Sequence, residues 1–297
     1  MSFSSQLKIE LCTLWPSGVQ KLAECYGLLM FARGFSFDNI SILTENEEVS
    51  ARYASFLRTI FDVSARVAQS GTRKDLNTVK VTGAADRAKI MHFFGYVKSG
   101  DSFIINKKYV DTTARISDFL RGAFLACGSI TNPEKEYHLE FVLSSETQAK
   151  EIAELIKTAN LKPRVTKRGN CHVVYFKESG QIEDILTFMG ATTATLDIID
   201  VKIYKDFRNL ANRRANAEIA NITKTVSAAA PQIEAAKKLR DKGVLTELST
   251  ELAEAVMLRL DNPELSLRDL AALTSDHVSR SGINHRLAKI MKIAEEL

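Results

Sequence analysis

The strongest constraint on this chain of 297 residues is an internal duplication. ECYGLLMFARGF at 24–35 resembles DFLRGAFLACGS at 118–129, which aligns Gly34 with Gly128. Two further matches follow at nearly the same spacing: VKV at 79–81 with VYF at 174–176, and FFG at 93–95 with FMG at 188–190. Self-similarity at a fixed spacing marks a repeated structural unit. We therefore expect one fold built twice, in repeats over about residues 20–110 and 115–201 of a domain spanning 1–201.

Each repeat has the same order of predicted elements. Short runs with period-2 alternation indicate half-buried strands: SFDNISIL, NTVKVTG, HLEFVLS and CHVVYFK. Apolar residues spaced by three and four indicate helices between them, as at Tyr53, Phe56 and Leu57 and again at Ile152 and Ile156. An apolar helix leads each repeat and another closes it. The pattern predicts an α+β domain of two αββαββα repeats.

The alternation of strand and helix signals ends after residue 201. The segment 202–245 has no strand signals, and we interpret it as a helical linker. Five basic residues and one acidic residue lie between 202 and 214, among several asparagines. A run of this kind is either an exposed charged helix or a contact with DNA phosphates and bases. Asn212, Arg213 and Arg214 are the candidate contacts.

Residues 246–297 read as three helices. Leu252 and Val256 belong to the apolar stripe of the first, which Pro263 follows. Ser266 and Asp269 have the spacing of a capping box that opens the second helix. A four-residue turn, SDHV, leads to Ser279, which can cap the third. Two helices with so short a turn fit a helix-turn-helix, whose second helix enters the major groove of DNA.

The third helix carries the predicted DNA-binding residues. Its face opposite the apolar stripe holds residue types that read bases, with asparagine suited to adenine and lysine to guanine. Residues 280–292 hold no acid, whereas the rest of this domain is acidic. The candidates are Ser279, Arg280, Ser281, Asn284, His285, Arg286, Lys289 and Lys292. The alternative is a plain three-helix bundle with a solvated basic helix.

Composition excludes several other classes of protein. The net charge of +4 is only mildly basic, so its distribution matters more than its size. Four cysteines without a CxxC pair give neither a disulfide framework nor a zinc site, and we expect no metal and no cofactor. The N-terminus lacks the pattern of a signal peptide, and no apolar run is long enough to span a membrane. We expect a cytoplasmic, nucleoid-associated protein.

LRGAFLACG at 120–128 resembles the motif of the LAGLIDADG homing endonucleases. The resemblance implies that two such helices pack at small residues and hold two half-sheets as a saddle over DNA. The small residues here are Gly27, Ala32, Gly122, Ala123 and Ala126. It also implies a metal-binding carboxylate before the final glycine of each helix. Arg33 and Cys127 occupy those positions, and neither can hold Mg²⁺, which prefers carboxylate oxygens. We therefore expect no catalytic residues and no enzyme activity.

Two other acids and two arginines of the saddle need an interpretation. Glu24 and Asp118 lie toward the N-terminal ends of the leading helices, and we interpret them as first-turn acids that favour the helix dipole. In KPRVTKRGN at 162–170, Arg164 and Arg168 lie on one side of a strand and could contact phosphates. A solvated hairpin accounts for that segment equally well.

The whole chain resembles the WhiA family of bacterial transcription regulators. The resemblance rests on LRGAFLACGSITNPEKEYHLEF (120–141), NRRANAEIANITKTVSAA (212–229) and SLRDLAAL with VSRSGINHRLAKI (266–290). It implies a catalytically inactive LAGLIDADG-like domain joined to a helix-turn-helix at 246–297. It also implies a role in sporulation or in cell division and chromosome segregation, with double-stranded DNA as the partner.

Two alternatives stay open at this point. One is a metal-dependent DNA endonuclease, against which the missing carboxylates speak. The other is an adaptor whose saddle binds a protein, such as a sigma factor or a cell-division component.

Overall fold

The structure, a computed structural model, describes residues 1–69, 76–98 and 103–297. It divides into two compact units, Met1–Lys205 (unit 1) and Asp206–Leu297 (unit 2). Each unit has a hydrophobic core of its own. Within the described ranges, no helix is both long and apolar enough to cross a membrane.

Unit 1 contains the two repeats, preceded by helix α1 (Phe3–Thr13). The elements of the first repeat are α2 (Gly18–Met30), β1 (Gly34–Phe35), β2 (Ile40–Thr44), α3 (Glu47–Phe61), β3 (Arg66–Gln69), β4 (Asn77–Val81) and α4 (Ala84–Phe93). Those of the second are α5 (Thr113–Cys127), β5 (Gly128–Ile130), β6 (Leu139–Leu143), α6 (Glu146–Thr158), β7 (Arg164–Arg168), β8 (Cys171–Phe176) and α7 (Ser179–Met189). A short 3₁₀ turn at Lys107–Tyr109 precedes α5. The predicted αββαββα order is confirmed in both repeats.

The two sheets have one topology. Their strand orders are β1-β2-β4-β3 and β5-β6-β8-β7, and all neighbouring strands are antiparallel. Burial alternates along the central strands, because one sheet face packs on the core and the other is open. Helices α3 and α6 contact the covered faces. The identical order in both halves confirms the duplication.

Helices α2 and α5 pack against each other at two glycines. A Cβ atom on Gly27 would lie 2.1 Å from the carbonyl oxygen of Phe119. A Cβ atom on Gly122 would lie 2.1 Å from the carbonyl oxygen of Glu24. Only glycine therefore permits this close approach of the two backbones, as expected from the resemblance. Ala32, which we also expected among the small residues of the pair, lies beyond the end of α2.

The interpretation of Glu24 and Asp118 as first-turn acids that favour the helix dipole is wrong. Glu24 is fully buried in the middle of α2, where Arg52 Nε donates to it at 2.5 Å and Arg121 Nε at 2.9 Å. Asp118, also buried, accepts from Arg121. Burial raises the pKa of Asp118, against the opposing effect of Arg121. The acids belong to a buried ion cluster, because α3 and α5 bring arginines to α2 from distant parts of the sequence.

Helix α8 (Thr192–Asp241) is longer than the linker expected from the sequence. It begins in unit 1, where the carboxylate of Glu10 in α1 accepts from the backbone N–H groups of Thr193 (2.6 Å) and Ala194 (2.9 Å). An acidic group at this end of a helix is favourable. The boundary between the two units falls within α8, after Lys205. Its last turns contribute Ala235, Ala236 and Leu239 to the core of unit 2.

The remaining elements of unit 2 are a 3₁₀ turn (Val244–Glu247), α9 (Thr250–Asp261), α10 (Leu267–Ala272) and α11 (Arg280–Glu296). The three helices expected at 246–297 are therefore present, and the end of α8 packs with them. Their buried apolar side chains include Leu252, Val256 and Leu270. Unit 2 is all-helical, which confirms an α+β domain followed by a helical one.

Candidate nucleic-acid interface

Helix α11 begins at a side-chain cap. Ser279 Oγ accepts from the backbone N–H of Gly282 at 3.2 Å, which satisfies one of the free donors at the start of the helix. Every third or fourth residue after it is buried: Ile283, Leu287, Ile290 and Ala294. This apolar stripe faces the core of unit 2 and leaves the opposite side of the helix in solvent.

The exposed side of α11 brings together most of the predicted DNA-binding residues. Seven of them are exposed: Ser279, Arg280, Ser281, Asn284, His285, Lys289 and Lys292. Within the described parts of the chain, neither Arg280, Lys289 nor Lys292 forms an ion pair. This face therefore combines free cations with amide, imidazole and hydroxyl groups, as contact with phosphates and base edges requires.

Arg286 differs from the other candidates. Both of its terminal nitrogens donate to the carboxylate of Asp276, one of them at 3.1 Å. The hydrogen bonds from Arg286 lower the pKa of Asp276, and those to Asp276 raise the pKa of Arg286. With only 15% of its side chain exposed, Arg286 ties α11 to the preceding turn. The sequence could not show this ion pair, because the two residues are ten positions apart.

Side-chain hydrogen bonds hold both the start of α10 and the turn between α10 and α11. Ser266 Oγ accepts from Asp269 N at 3.3 Å, which confirms the predicted cap of α10. The Asp269 carboxylate accepts from the Ser266 hydroxyl at 2.7 Å, whereas in a capping box it would accept from the backbone N–H of Ser266. Thr274 Oγ1 donates to the carbonyl of Ala271 (2.7 Å) and accepts from Val278 N (3.2 Å). The two bonds of Thr274 fix the direction in which α11 leaves the turn.

A groove of about 890 Å³ in unit 1 contains the positions of the endonuclease acids. We call it the basal groove; its lining includes Lys8, Arg33, Glu45 and Cys127. Burial raises the pKa of the Cys127 thiol to about 12, so it stays protonated at neutral pH. Lys8 Nζ donates to the carbonyl of Leu125 at 3.2 Å, and burial lowers the pKa of this lysine. The groups at the two acid positions are thus a neutral thiol and a guanidinium.

A metal has little to bind in the basal groove. Among the described residues, Glu45 is the only acidic residue in its lining, and it stands at neither acid position of the family motif. The described part of the chain contains no group of three histidine, cysteine or acidic side chains that could hold a metal ion. Lys8 was missed from the sequence, because α1 precedes the repeats and has no counterpart in the motif.

The two arginines expected to contact phosphates from the second sheet are already paired. Arg168 donates through both terminal nitrogens to Glu140, at 3.0 and 3.1 Å, and Arg164 donates to Glu178 at 3.1 Å. Burial by itself would raise the pKa of Glu140, but the hydrogen bonds from Arg168 and His138 lower it. The structure thus favours the solvated hairpin for this segment.

The first sheet presents cations that the sequence analysis missed. Arg66 in β3 and Lys80 in β4 lie opposite each other in the strand register. Both are exposed, while Val79 and Val81 on either side of Lys80 are buried, so both side chains belong to the open face. Neither forms an ion pair with another described residue. The alternation in VKV could have indicated Lys80, whereas the facing position of Arg66 depends on strand pairing.

The linker candidates lie in α8. Asn212, Arg213 and Arg214 are exposed, as is every other residue from 206 to 224. Large apolar side chains share this exposure, with Phe207 at 73%, Ile219 at 62% and Ile222 at 63%. This part of α8 is therefore both basic and apolar on its surface.

Two sequence models of one family match the chain. The model described as the WhiA LAGLIDADG-like domain matches residues 116–208, and the WhiA C-terminal HTH domain matches residues 211–294. Among solved structures, the chain resembles full-length DUF199/WhiA from Thermatoga maritima, with a TM-score of 0.61, 23% identity, and coverage of 100% of this chain and 99% of that one. It also resembles the N-terminal LAGLIDADG domain of DUF199/WhiA, with a TM-score of 0.51 and 20% identity over 64% of this chain and 92% of that one.

Full-length relatives give the same assignment. A probable cell division protein WhiA of Clostridium perfringens (strain SM101 / Type A) is 37% identical, over 100% of this chain and 98% of the relative. Its counterpart in Clostridium botulinum (strain Eklund 17B / Type B) is 35% identical over 100% and 99%. The duplicated unit precedes the helical unit in this chain, which is also the order of the two family models along the sequence. This chain belongs to the WhiA family.

Proposed function

We propose that this protein is a sequence-specific DNA-binding regulator of transcription that has no nuclease activity. The observation that carries the proposal is the exposed side of α11, which combines unpaired cations with base-reading side chains and holds no acid between 280 and 292. The turn before α11 is fixed by its own hydrogen bonds, so the face is presented in a defined direction. A preorganised basic face of this kind suits the major groove.

The basal groove supports the second half of the proposal. Cleavage of a phosphodiester by this fold class needs carboxylate oxygens for divalent metals, whereas Arg33 and Cys127 stand at those positions. Unit 1 instead offers cations on an open sheet face, Arg66 and Lys80, which suit added contacts with DNA phosphates. The curated relatives carry names that refer to cell division, and we propose that the genes regulated here serve division, chromosome segregation or sporulation.

The test is selection of binding sites from genomic fragments by the full-length protein, followed by binding measurements on the selected site and on random DNA in Mg²⁺. We expect a preference for the selected site and intact DNA. The variant Asn284→Ala should weaken the preference, whereas Lys237→Ala, an exposed substitution in α8, should keep it. Cleaved DNA, or equal affinity of the wild type for all sequences, contradicts the proposal.

A second function has a different observation in its favour. The exposed apolar side chains of α8, such as Phe207 and Ile222, form a surface on which another protein could dock. We propose a sigma factor as this partner, because contact with a sigma factor is one route by which a DNA-bound regulator acts on the polymerase. Phe207→Ser should weaken the binding of purified sigma factor without changing DNA affinity. If the variant and the wild type bind the sigma factor equally, this surface is not the docking site.

A further inference from the structure

Unit 2 contains a pocket that the base-reading face does not account for. Its volume is about 330 Å³, and residues from α8, the end of α9, α10 and the first turn of α11 line it. Four of these are basic: Lys224, Arg259, Arg268 and Arg280. Among the described residues, no acidic side chain belongs to the lining. We call this the cationic pocket.

Arg259 is the least expected member of the cationic pocket. Its side chain is buried, with the residue 1% exposed, and no carboxylate pairs with it among the described residues. Nη1 donates to the carbonyl oxygens of Asn262 (3.3 Å) and Leu265 (2.9 Å), whereas the buried Nε has no partner there. Burial lowers the pKa of this arginine. A buried cation without a counter-charge is costly, and an anion in the pocket would offset that cost.

Gln232 gives a second, independent indication of a binding site. It is 7% exposed, lines the pocket, and its Oε1 atom has no hydrogen-bond partner among the described residues. The two ends of an amide exchange by rotation, so the same position can present an N–H donor. The hydroxyl-bearing side chains of Thr225 and Ser266 also line the pocket. Donors and positive charges thus converge on one space.

We propose that the cationic pocket binds phosphoryl oxygens, and that a backbone phosphate of DNA supplies them. The inference rests on the proposed function and deepens it. Arg280 is the first residue of α11 and Arg268 the second of α10, so the pocket lies at the starts of both helices of the helix-turn-helix. The phosphates that border the major groove pass beside a helix inserted into it. Arginine is well suited to hold them, because its donors form a rigid fork.

Seating a phosphate in this pocket would also involve α8 in DNA binding. Lys224 and Thr225 belong to α8, whereas the base-reading face belongs to α11. One phosphate contacted from α8, α9, α10 and α11 would set the register of α11 along the duplex, since phosphate contacts position a protein and base contacts specify the sequence.

The experiment uses the full-length protein and its selected DNA site, in which each phosphate in turn is replaced by an uncharged methylphosphonate. We expect the affinity of the wild type to fall about tenfold or more at one position per bound copy, the loss typical of a charged hydrogen bond. In Arg268→Gln and Lys224→Gln, the same replacement should cost clearly less than in the wild type, because the phosphate has already lost one of its charged partners. Lys237→Gln removes an exposed charge outside the pocket and should keep the full sensitivity.

The outcomes separate this inference from the proposed function. If DNA binds but every pocket variant retains the full sensitivity at all positions, the cationic pocket does not hold a backbone phosphate and the inference is overturned. A second arm titrates the protein with inorganic phosphate and pyrophosphate, following the amide signals of Thr225 and Arg268 by NMR. If no DNA binds, but the Thr225 signal shifts in the wild type and not in Arg268→Gln, the pocket binds a free phosphoryl compound. DNA is then not the source of the phosphoryl oxygens. If neither DNA nor phosphate perturbs the pocket, both parts fail.

Discussion

Arg286 has the residue type and the helix position of a base-reading side chain, yet Asp276 already occupies its guanidinium. Arg168, a strand residue expected to contact phosphates, is paired in the same way, because both of its terminal nitrogens donate to Glu140. Arg280, Lys289 and Lys292 form no such pair among the described residues. At the scale of single residues, the availability of a cation therefore depends on which acid the fold brings to it.

The pairing of Arg286 predicts a dependence of stability on pH. The hydrogen bonds from Arg286 lower the pKa of Asp276 below its ordinary 3.8. A carboxyl whose pKa is lower in the folded state stabilises the fold fully above the unfolded value, and this contribution is lost as the pH falls through the folded pKa. The difference in urea midpoint between the wild type and Arg286→Gln should thus be constant above about pH 3.8 and vanish in stronger acid.

Arg280→Gln is the matched control for that measurement. Arg280 lies on the same helix and has no acidic partner among the described residues, so its substitution should change the midpoint by an amount that does not depend on pH. Circular dichroism in a urea series at each pH measures both variants. A difference for Arg286→Gln that persists unchanged below the pKa of Asp276 would show that the ion pair is absent in solution.

The exposed side chains of α11 should divide into two kinds. Asn284→Ala should remove about 1–3 kcal/mol of discrimination at one base pair, because an amide that pairs with a base edge reads that base. Lys292→Gln should weaken binding to all sequences and lower the slope of log affinity against log salt by about one. Competition with single-base variants across a salt series measures both effects. Equal losses on specific and random DNA from Asn284→Ala would exclude a base-reading role.

At the scale of elements, the contact between α2 and α5 depends on the absence of two side chains. An added Cβ at Gly27 or Gly122 would meet backbone atoms at 2.1 Å, and backbone cannot move aside as a flexible side chain can. We expect Gly122→Ala to destabilise unit 1 by about 1–3 kcal/mol, the usual cost of overpacking. Urea unfolding of the full chain measures it.

Gly180 provides the control for that substitution. It lies in the first turn of α7, and an added Cβ there would have no atom within 4 Å. Gly180→Ala should therefore be neutral or stabilising by up to about 1 kcal/mol, because alanine favours a helix more than glycine does. If Gly122→Ala and Gly180→Ala behave alike, the two leading helices do not pack as closely as described.

At the scale of the whole molecule, the described residues form two units with separate cores that share no buried residue. We expect two calorimetric transitions, since each core loses its burial independently. Leu287→Ala should lower the transition of unit 2 alone and Ile156→Ala that of unit 1 alone, each by about 2–5 kcal/mol, because both side chains are fully buried. A single transition that both substitutions shift equally would show that the two cores unfold as one.

The sequence by itself determined the features that depend on near neighbours or on repetition. The duplication follows from self-similarity, and the strands follow from alternation of residues two apart. Ser266 and Ser279 cap helices through bonds to residues three positions away, so their roles can be read from local spacing. Arg33 and Cys127 were also identified without coordinates, because the motif defines which positions carry the acids.

Only the tertiary structure decided the state of the charged groups. Glu24 accepts from arginines 28 and 97 positions away, and Arg168 donates to an acid 28 positions away. The cationic pocket joins Lys224 to Arg259, Arg268 and Arg280 from four helices. Burial and ion pairing depend on which distant elements pack together, and the spacing of residues along the chain does not show which elements those are. The sequence therefore indicated where the proposed DNA-binding face lies, and the fold decided which of its charges are free.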